Sequence, residues 1–332
     1  MPNTLYPLKF KPIYKPLIWG GEKLRTQWGK SDAPESTGES WEISAVKDNI
    51  SVVANGFLKG NRLDELIEVY MGDLVGDAVF EKFNTAFPIL VKFIHANDNL
   101  SVQVHPDDEF AEKFHGENGK TEMWYILDAE KESKLIAGFN RDVDEKTFME
   151  YFNNKKLPEI LNFEPVKHGD VFFMPARRIH AIGTGTVLTE IQQTSDATYR
   201  IYDWERTGTD GKPRELHLDH ALQVMDYKKR DNIRTSYDRI PNKTVKLVDC
   251  PYFTTGLIEF EVPVDKDYAL IDSFVIYICT EGNILVNYKG GKPVTLKKGE
   301  TMLVPAELKE LSMIPGEKST VLEVYIKGGV GS

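Results

Sequence analysis

Beyond residue 239 the chain breaks into short runs of β-forming residues, at 253–260, 273–279, 284–288, 301–304 and 321–326. Turn formers separate them about every ten residues, the rhythm of a small all-β barrel or sandwich. No helical periodicity interrupts this third of the chain.

The preceding part is mixed. Residues 62–83 carry Leu63, Leu66, Ile67, Tyr70 and Leu74 at helical spacing, which predicts a helix or a helix pair. Residues 41–46 and 50–54 read as short edge-type strands between turn formers, and 100–105 alternates cleanly. After Pro88, the apolar run 89–95 suits a buried strand. A helix begins at His105, with Pro106 and the acids that follow favouring its first turn. Further helices are expected at 144–153 and 217–227, and strands at 123–127, 169–175, 186–193 and 199–204. A length of 332 residues fits two domains, and the polar stretch 228–241 is the expected linker.

Charge narrows the function. With 41 basic against 51 acidic residues the net charge is −10, which argues against a partner with a phosphate backbone. The two cysteines, Cys250 and Cys279, fit no metal or disulfide spacing and read as buried structural thiols. No apolar leader core and no run of about 18 apolar residues is present, so a soluble, reduced, cytoplasmic chain with no membrane partner is expected.

All seven histidines, His95, His105, His115, His168, His180, His217 and His220, precede the C-terminal β region. Strand alternation puts Ser101, Gln103 and His105 on one face, and Lys120 and Glu122 on another. Two histidines and a glutamate can supply three ligands to a divalent ion, with Gln103 as a further oxygen donor. Each segment alone also reads as a solvated strand face.

Together these residues resemble a known family. Gly169, Pro175 and His180 are spaced like the second motif of the cupin superfamily, with Arg177 where glycine is usual. Gln103 and His105 resemble the metal strand of its first motif. That motif's glutamate normally follows within a few residues; here Glu122 comes seventeen later, after a helix. This arrangement resembles the short bacterial form of the type I mannose-6-phosphate isomerases. Its carriers are Ser101 to Pro106, Gly119 to Tyr125, and His180 to Gly185 with Glu190, Ser195, Asp196, Tyr199 and Arg200. The long form's extra helical domain and its asparagine–histidine segment are not evident. Gly299 and Pro305 repeat the cupin spacing, but Glu310 stands where histidine would be.

The resemblance implies a mainly β fold of two cupin-type jelly-roll barrels, with a few helices in and after the first. Residues 1–235 would form the catalytic domain and 236–332 a metal-free barrel. It implies interconversion of mannose 6-phosphate and fructose 6-phosphate, with one zinc ion per chain on Gln103, His105, Glu122 and His180. Ser101, Lys120 and Arg200 fall at phosphate contacts; Arg200, Glu190 and Lys120 are the catalytic candidates, with His95 also open as a base. Arg200 has a plain alternative as a strand arginine paired with Asp203 or Glu205. Two other classes share a His/Glu cupin site: a metal oxygenase, and a non-catalytic sugar sensor. The first has no need of a phosphate-binding set, and the second needs a helix-turn-helix and a basic face that the sequence lacks.

Overall fold

The computed structural model describes residues 4–208 and 211–327. Residues 1–3 and 328–332, at the ends of the expected domain ranges, lie outside the described residues. The first part contains strands β1 (Ile13–Pro16), β2 (Thr37–Ile43), β3 (Ala45–Val46), β4 (Asn49–Ile50), β5 (Ile89–Ala96), β6 (Val102–Val104) and β7 (Glu122–Ala129). It continues with β8 (Lys134–Phe139), β9 (Leu161–Pro165), β10 (Val171–Met174), β11 (His180–Ile182), β12 (Thr186–Gln193) and β13 (Tyr199–Tyr202). Six α-helices accompany them among the described residues: α1 (Lys23–Gln27), α2 (Leu63–Val75), α3 (Asp77–Phe83), α4 (Asp108–His115), α5 (Glu145–Asn153) and α6 (Leu218–Val224). None is long and apolar enough to cross a membrane.

The strands form two antiparallel sheets, ordered β1-β2-β5-β12-β7-β10 and β13-β6-β11-β8-β9. Between them lie Trp19, Ile94, Leu100, Trp124, Ile126, Phe172, Ile182 and Leu188. The C-terminal strands repeat the plan: β14 (Thr244–Asp249), β15 (Thr254–Phe260), β16 (Val264–Asp267), β17 (Val275–Glu281), β18 (Asn283–Tyr288), β19 (Val294–Lys297), β20 (Thr301–Val304), β21 (Glu310–Pro315) and β22 (Ser319–Tyr325). They make sheets β14-β15-β22-β17-β20 and β16-β21-β18-β19. The fold is mainly β, and its hydrogen-bonded strand orders are open.

Several expectations need correction. The strand at 41–46 is not an edge, because β1 pairs outside β2 and leaves β2 between β1 and β5. The run 50–54 keeps only the end of β4 and two isolated bridges, Val52 to Arg62 and Val53 to Phe10. Helix α4 starts at Asp108, because Asp107 serves as its N-cap and accepts from Phe110 N at 3.1 Å. Of the two thiols, Cys279 is buried but Cys250 is only half-buried.

Strand β5 explains how the two parts are joined. Val91 and Phe93 face one core, which also contains Phe87, Tyr125, Leu257, Phe274, Ile276, Leu303 and Leu322. Near the start of the chain, Leu8 and Leu303 exchange two backbone hydrogen bonds of 2.7 and 2.8 Å. N- and C-terminal strands therefore bury one continuous apolar surface. A chain ended at residue 235 is expected to expose that face and to be recovered insoluble or without cooperative unfolding, whereas the full chain unfolds in one transition followed by circular dichroism.

Candidate metal centre and substrate cavity

The alternation that gives β5 a core face also gives it a second face, carrying Lys92 and Ile94 toward the space between the first two sheets. Glu190 on β12 and Glu122 on β7 point the same way, with Leu188, Trp124 and Ile126 beside them. From the opposite sheet come Gln103 on β6 and His180 on β11, whose Cα atoms are partners across the ladder. His105 follows directly after β6. The cluster thus bridges two facing sheets.

His105, Glu122 and His180 are all buried, and their ligand atoms lie within 4.8 Å of one another. Nε2 of His105 is 3.1 Å from Nε2 of His180. Glu122 oxygens lie 3.5 Å from the first and 3.3 Å from the second. A tetrahedral site with bonds of about 2.0–2.1 Å has edges of roughly 3.3 Å, so the three groups stand at coordination spacing. Their protonation fits too. Nδ1 of His105 donates to Ala197 O at 2.9 Å, and Nδ1 of His180 donates to Arg178 O at 2.8 Å. A carbonyl can only accept, so each Nδ1 carries the hydrogen of the neutral ring and each Nε2 turns a lone pair inward.

Burial opposes charge at this point. It pushes His180 down to about 4 and His105 well below the usual imidazole range, with Lys120 adding to both shifts. Burial, with Glu190 second, raises the Glu122 carboxyl to about 7. Both Glu122 oxygens are buried without a hydrogen-bond partner. Two lone pairs turned inward onto a buried carboxylate that accepts no hydrogen bond and has one ammonium 3.3 Å away form a donor set that fits a divalent metal. The Gln103 amide reaches the same place, with Nε2 3.5 Å from His180 Nε2; turning the amide about its terminal bond brings Oε1 there.

Lys120 is closer to this cluster than strand spacing alone indicates. Its Nζ lies 3.2 Å from His105 Nε2 and 3.3 Å from Glu122. The long side chain folds back onto the buried carboxylate instead of extending along the strand.

A cavity of about 320 Å³ opens beside the cluster. It is lined by Ser101, Gln103, Lys120, Glu190 and Arg200, all expected from the sequence, and also by Trp19, Glu39, Lys92, Asp196, Thr198 and Arg214. Trp19 fits because Gly38 has no side chain; a Cβ there would lie 2.6 Å from the indole ring. Lys92 is buried between Glu190 at 3.1 Å and Glu39 at 3.4 Å. Burial alone would lower its pKa, but Glu39 and Glu190 overcome this and hold it raised. Glu190 also accepts from Trp124 Nε1 at 2.8 Å. Burial would raise its carboxyl, but Lys92 and Lys120 hold it low. Sequence reasoning missed Lys92, although a lysine inside an eight-residue buried strand requires a buried carboxylate nearby.

Arg200 makes neither of the pairings that its plain alternative, a strand arginine bound to Asp203 or Glu205, requires. Its Nη1 donates to Glu215 O at 2.9 Å, while Asp203 is taken by Arg206 and Arg214, and Glu205 by Lys155. Its Nε is buried without a partner. His95 is on the core face of β5, where Nδ1 accepts from Lys23 N at 3.3 Å, and it does not line the cavity.

A sequence model of the phosphomannose isomerase type I catalytic domain matches residues 8–137. The mannose-6-phosphate isomerase ManA of Bacillus subtilis is 37% identical over 93% of this chain and 96% of its own length. A mannose-6-phosphate isomerase of Streptococcus mutans is 36% identical over 88% of this chain and 90% of its own length. Among solved structures, the mannose 6-phosphate isomerase from Bacillus subtilis superposes with a TM-score of 0.87 at 33% identity, covering 97% of this chain and all of that one. A phosphomannose isomerase of Salmonella typhimurium, 17% identical, shares the fold with a TM-score of 0.77 over 97% of this chain and 100% of its own.

Proposed function

The chain belongs to the type I phosphomannose isomerase family, and on that premise we propose that it interconverts mannose 6-phosphate and fructose 6-phosphate by moving a proton between C1 and C2. The single observation that carries the reading at the level of chemistry is the His105–Glu122–His180 cluster beside a cavity lined by Lys92, Lys120, Arg200 and Arg214.

The barrier to such a transfer is set by negative charge growing on the two oxygens of an enediol. A divalent ion held by Gln103, His105, Glu122 and His180 supplies Lewis acidity toward a neighbouring oxygen. Zinc suits this nitrogen and oxygen set at one ion per chain; manganese, iron and cobalt also accept it. The remaining work falls to the protein. The second oxygen is met by Arg200, whose buried Nε has no protein partner, and Lys120 stands between the cluster and the cavity as a further cation. Glu190 is the base, a carboxylate on the cavity wall that the Lys92 ammonium at 3.1 Å keeps ionised. Ser101 contacts the substrate phosphate, while Lys120, held at the cluster, and Arg200, at the second oxygen, contribute charge to it across the cavity. Asp196 and Trp19 shape the remaining wall.

Each pair of sheets is read as a cupin-type jelly roll, residues 1–235 catalytic and 236–332 structural and without metal. The absence of histidine from the second part supports that division, and the low cysteine count supports a cytoplasmic setting. Expected in a coupled assay is rapid formation of fructose 6-phosphate from mannose 6-phosphate, with free mannose turned over at least about a hundredfold less efficiently, because the uncharged sugar forgoes the charge-assisted phosphate contacts. Equal kcat/KM for the two sugars would remove the phosphate site from the reading.

A further inference from the structure

The cavity wall away from the metal cluster carries an arginine that the family motifs do not bring in. Arg214 follows an irregular segment after β13 and lines the cavity together with Ser101, Thr198 and Arg200. Its guanidinium is held in place. Nε donates to Asp203 Oδ2 at 2.7 Å and Nη2 to Asp203 Oδ1. Asp203 is 6% exposed and also accepts from Arg206 Nη2 at 2.8 Å. One buried carboxylate therefore orients two guanidinium groups, and Arg200 lies within electrostatic reach of both. Arg206 also pairs with Asp98 at 3.1 Å, so Arg200, Arg206 and Arg214 gather around two carboxylates and leave one positive charge in excess, in a chain whose net charge is −10. The paired edge of Arg214 faces Asp203; its Nη1 side is the part not turned to that carboxylate.

The ladder fixes where this lies relative to the chemistry. Arg200 is opposite Gln103 and Tyr202 is opposite Val102, so the chain leaving β13 runs toward Ser101 and Leu100. Trp204 Nε1 donates to Leu100 O at 2.7 Å and confirms the direction. Ser101 is about 6.6 Å along the strand from Gln103, and farther still from His105. An open-chain hexose with O1 and O2 at the cluster is long enough to place its C6 substituent at this end of the cavity.

We infer that Arg214, preset by Asp203, is the specificity-determining residue that reads the phosphate dianion of the substrate, with Arg206 and Asp203 as positioning residues. This rests on the isomerase reading and deepens it. The fork of Asp203 contacts removes the rotamer freedom that a phosphate would otherwise have to freeze, so Arg214 contributes chiefly to binding and little to the proton transfer.

The test is Arg214→Gln, with Arg214→Lys alongside it to keep a charge where the glutamine variant fails to fold. For mannose 6-phosphate, KM is expected to rise about 10- to 100-fold in Arg214→Gln with kcat within about threefold. Inorganic phosphate is expected to inhibit the parent competitively and to weaken by a similar factor in the variant, free mannose should keep its kcat/KM, and metal content should be unchanged. Arg214→Lys should fall between the two. Parent-like KM and phosphate inhibition in either variant overturn the assignment, as does an equal loss for mannose and mannose 6-phosphate. Should the parent fail to isomerise mannose 6-phosphate, the isomerase reading falls by itself. Calorimetric titration of parent and variants with inorganic phosphate then still decides Arg214.

Discussion

Stripping the divalent ion with a chelator is expected to lower isomerisation of mannose 6-phosphate by about a thousandfold or more, and added zinc should restore it. The same loss is expected in His180→Ala, but there zinc should not rescue, because one of three buried ligands is gone. The magnitude follows from the position of the cluster. His105, Glu122 and His180 are wholly enclosed, so water cannot substitute cheaply for a missing charge. The fold should survive both treatments. Each ligand sits at the inner end of a strand whose neighbours are the apolar residues between the sheets, and that core is independent of the ion. Unfolding followed by circular dichroism, metal analysis and turnover on one preparation separate the outcomes. A His180→Ala protein with parental turnover, or a metal-free protein with full activity, contradicts the proposed centre. Removing the ion also leaves the Glu122 carboxylate with the Lys120 ammonium 3.3 Å away but no hydrogen bond, so a modest fall in stability on chelation belongs to the same expectation.

Why some of this site was legible in the sequence and some was not follows from how local each signal is. The alternation from Ser101 to His105 is set by five residues in a row, and the structure puts Ser101 and Gln103 on the cavity and Val102 and Val104 in the core behind it. Glu122 is seventeen residues from His105, beyond α4, and meets it only because two sheets face each other; strand periodicity carries no information about that. Lys92 was hidden by its own surroundings, since a strand of buried apolar residues masks one lysine until its partners Glu39 and Glu190, on β2 and β12, are known. Arg214 lies in irregular chain and is defined by its partner Asp203. Two of the strands that the sequence reading missed share a different cause. β16 and β19 are the edges of their sheet, and their sequences, Val264 to Asp267 and Val294 to Lys297, alternate with exposed polar residues that read as turn or loop. Their pairing, not their composition, makes them strands. By contrast β12, central in its sheet and buried throughout, coincides with the expected 186–193.

Glu190→Gln is expected to lower kcat by about 10²- to 10⁴-fold while KM stays within about fivefold and bound metal is unchanged. The argument starts from what surrounds the carboxylate. A base must be ionised before it can take a proton, and burial alone would keep Glu190 neutral. Lys92 at 3.1 Å prevents this, and the indole of Trp124 holds the other oxygen at 2.8 Å, so the group is charged, oriented and shielded from bulk water. Glutamine preserves the shape and the indole contact but has no lone pair basic enough to accept a proton. Lys92 keeps Glu39 as a partner, which limits the structural cost to the loss of one half of a buried pair. Glu190 stands outside the three-residue ligand cluster, so metal analysis distinguishes loss of the base from loss of the ion. Solvent-derived hydrogen exchange at C2 of the substrate provides the second readout, because it requires proton removal even when net conversion is slow. It should fall in parallel with kcat. A Glu190→Gln protein that exchanges at the parental rate would assign the base to another wall of the cavity, and Lys120, 3.2 Å from His105 Nε2, is the group next in place.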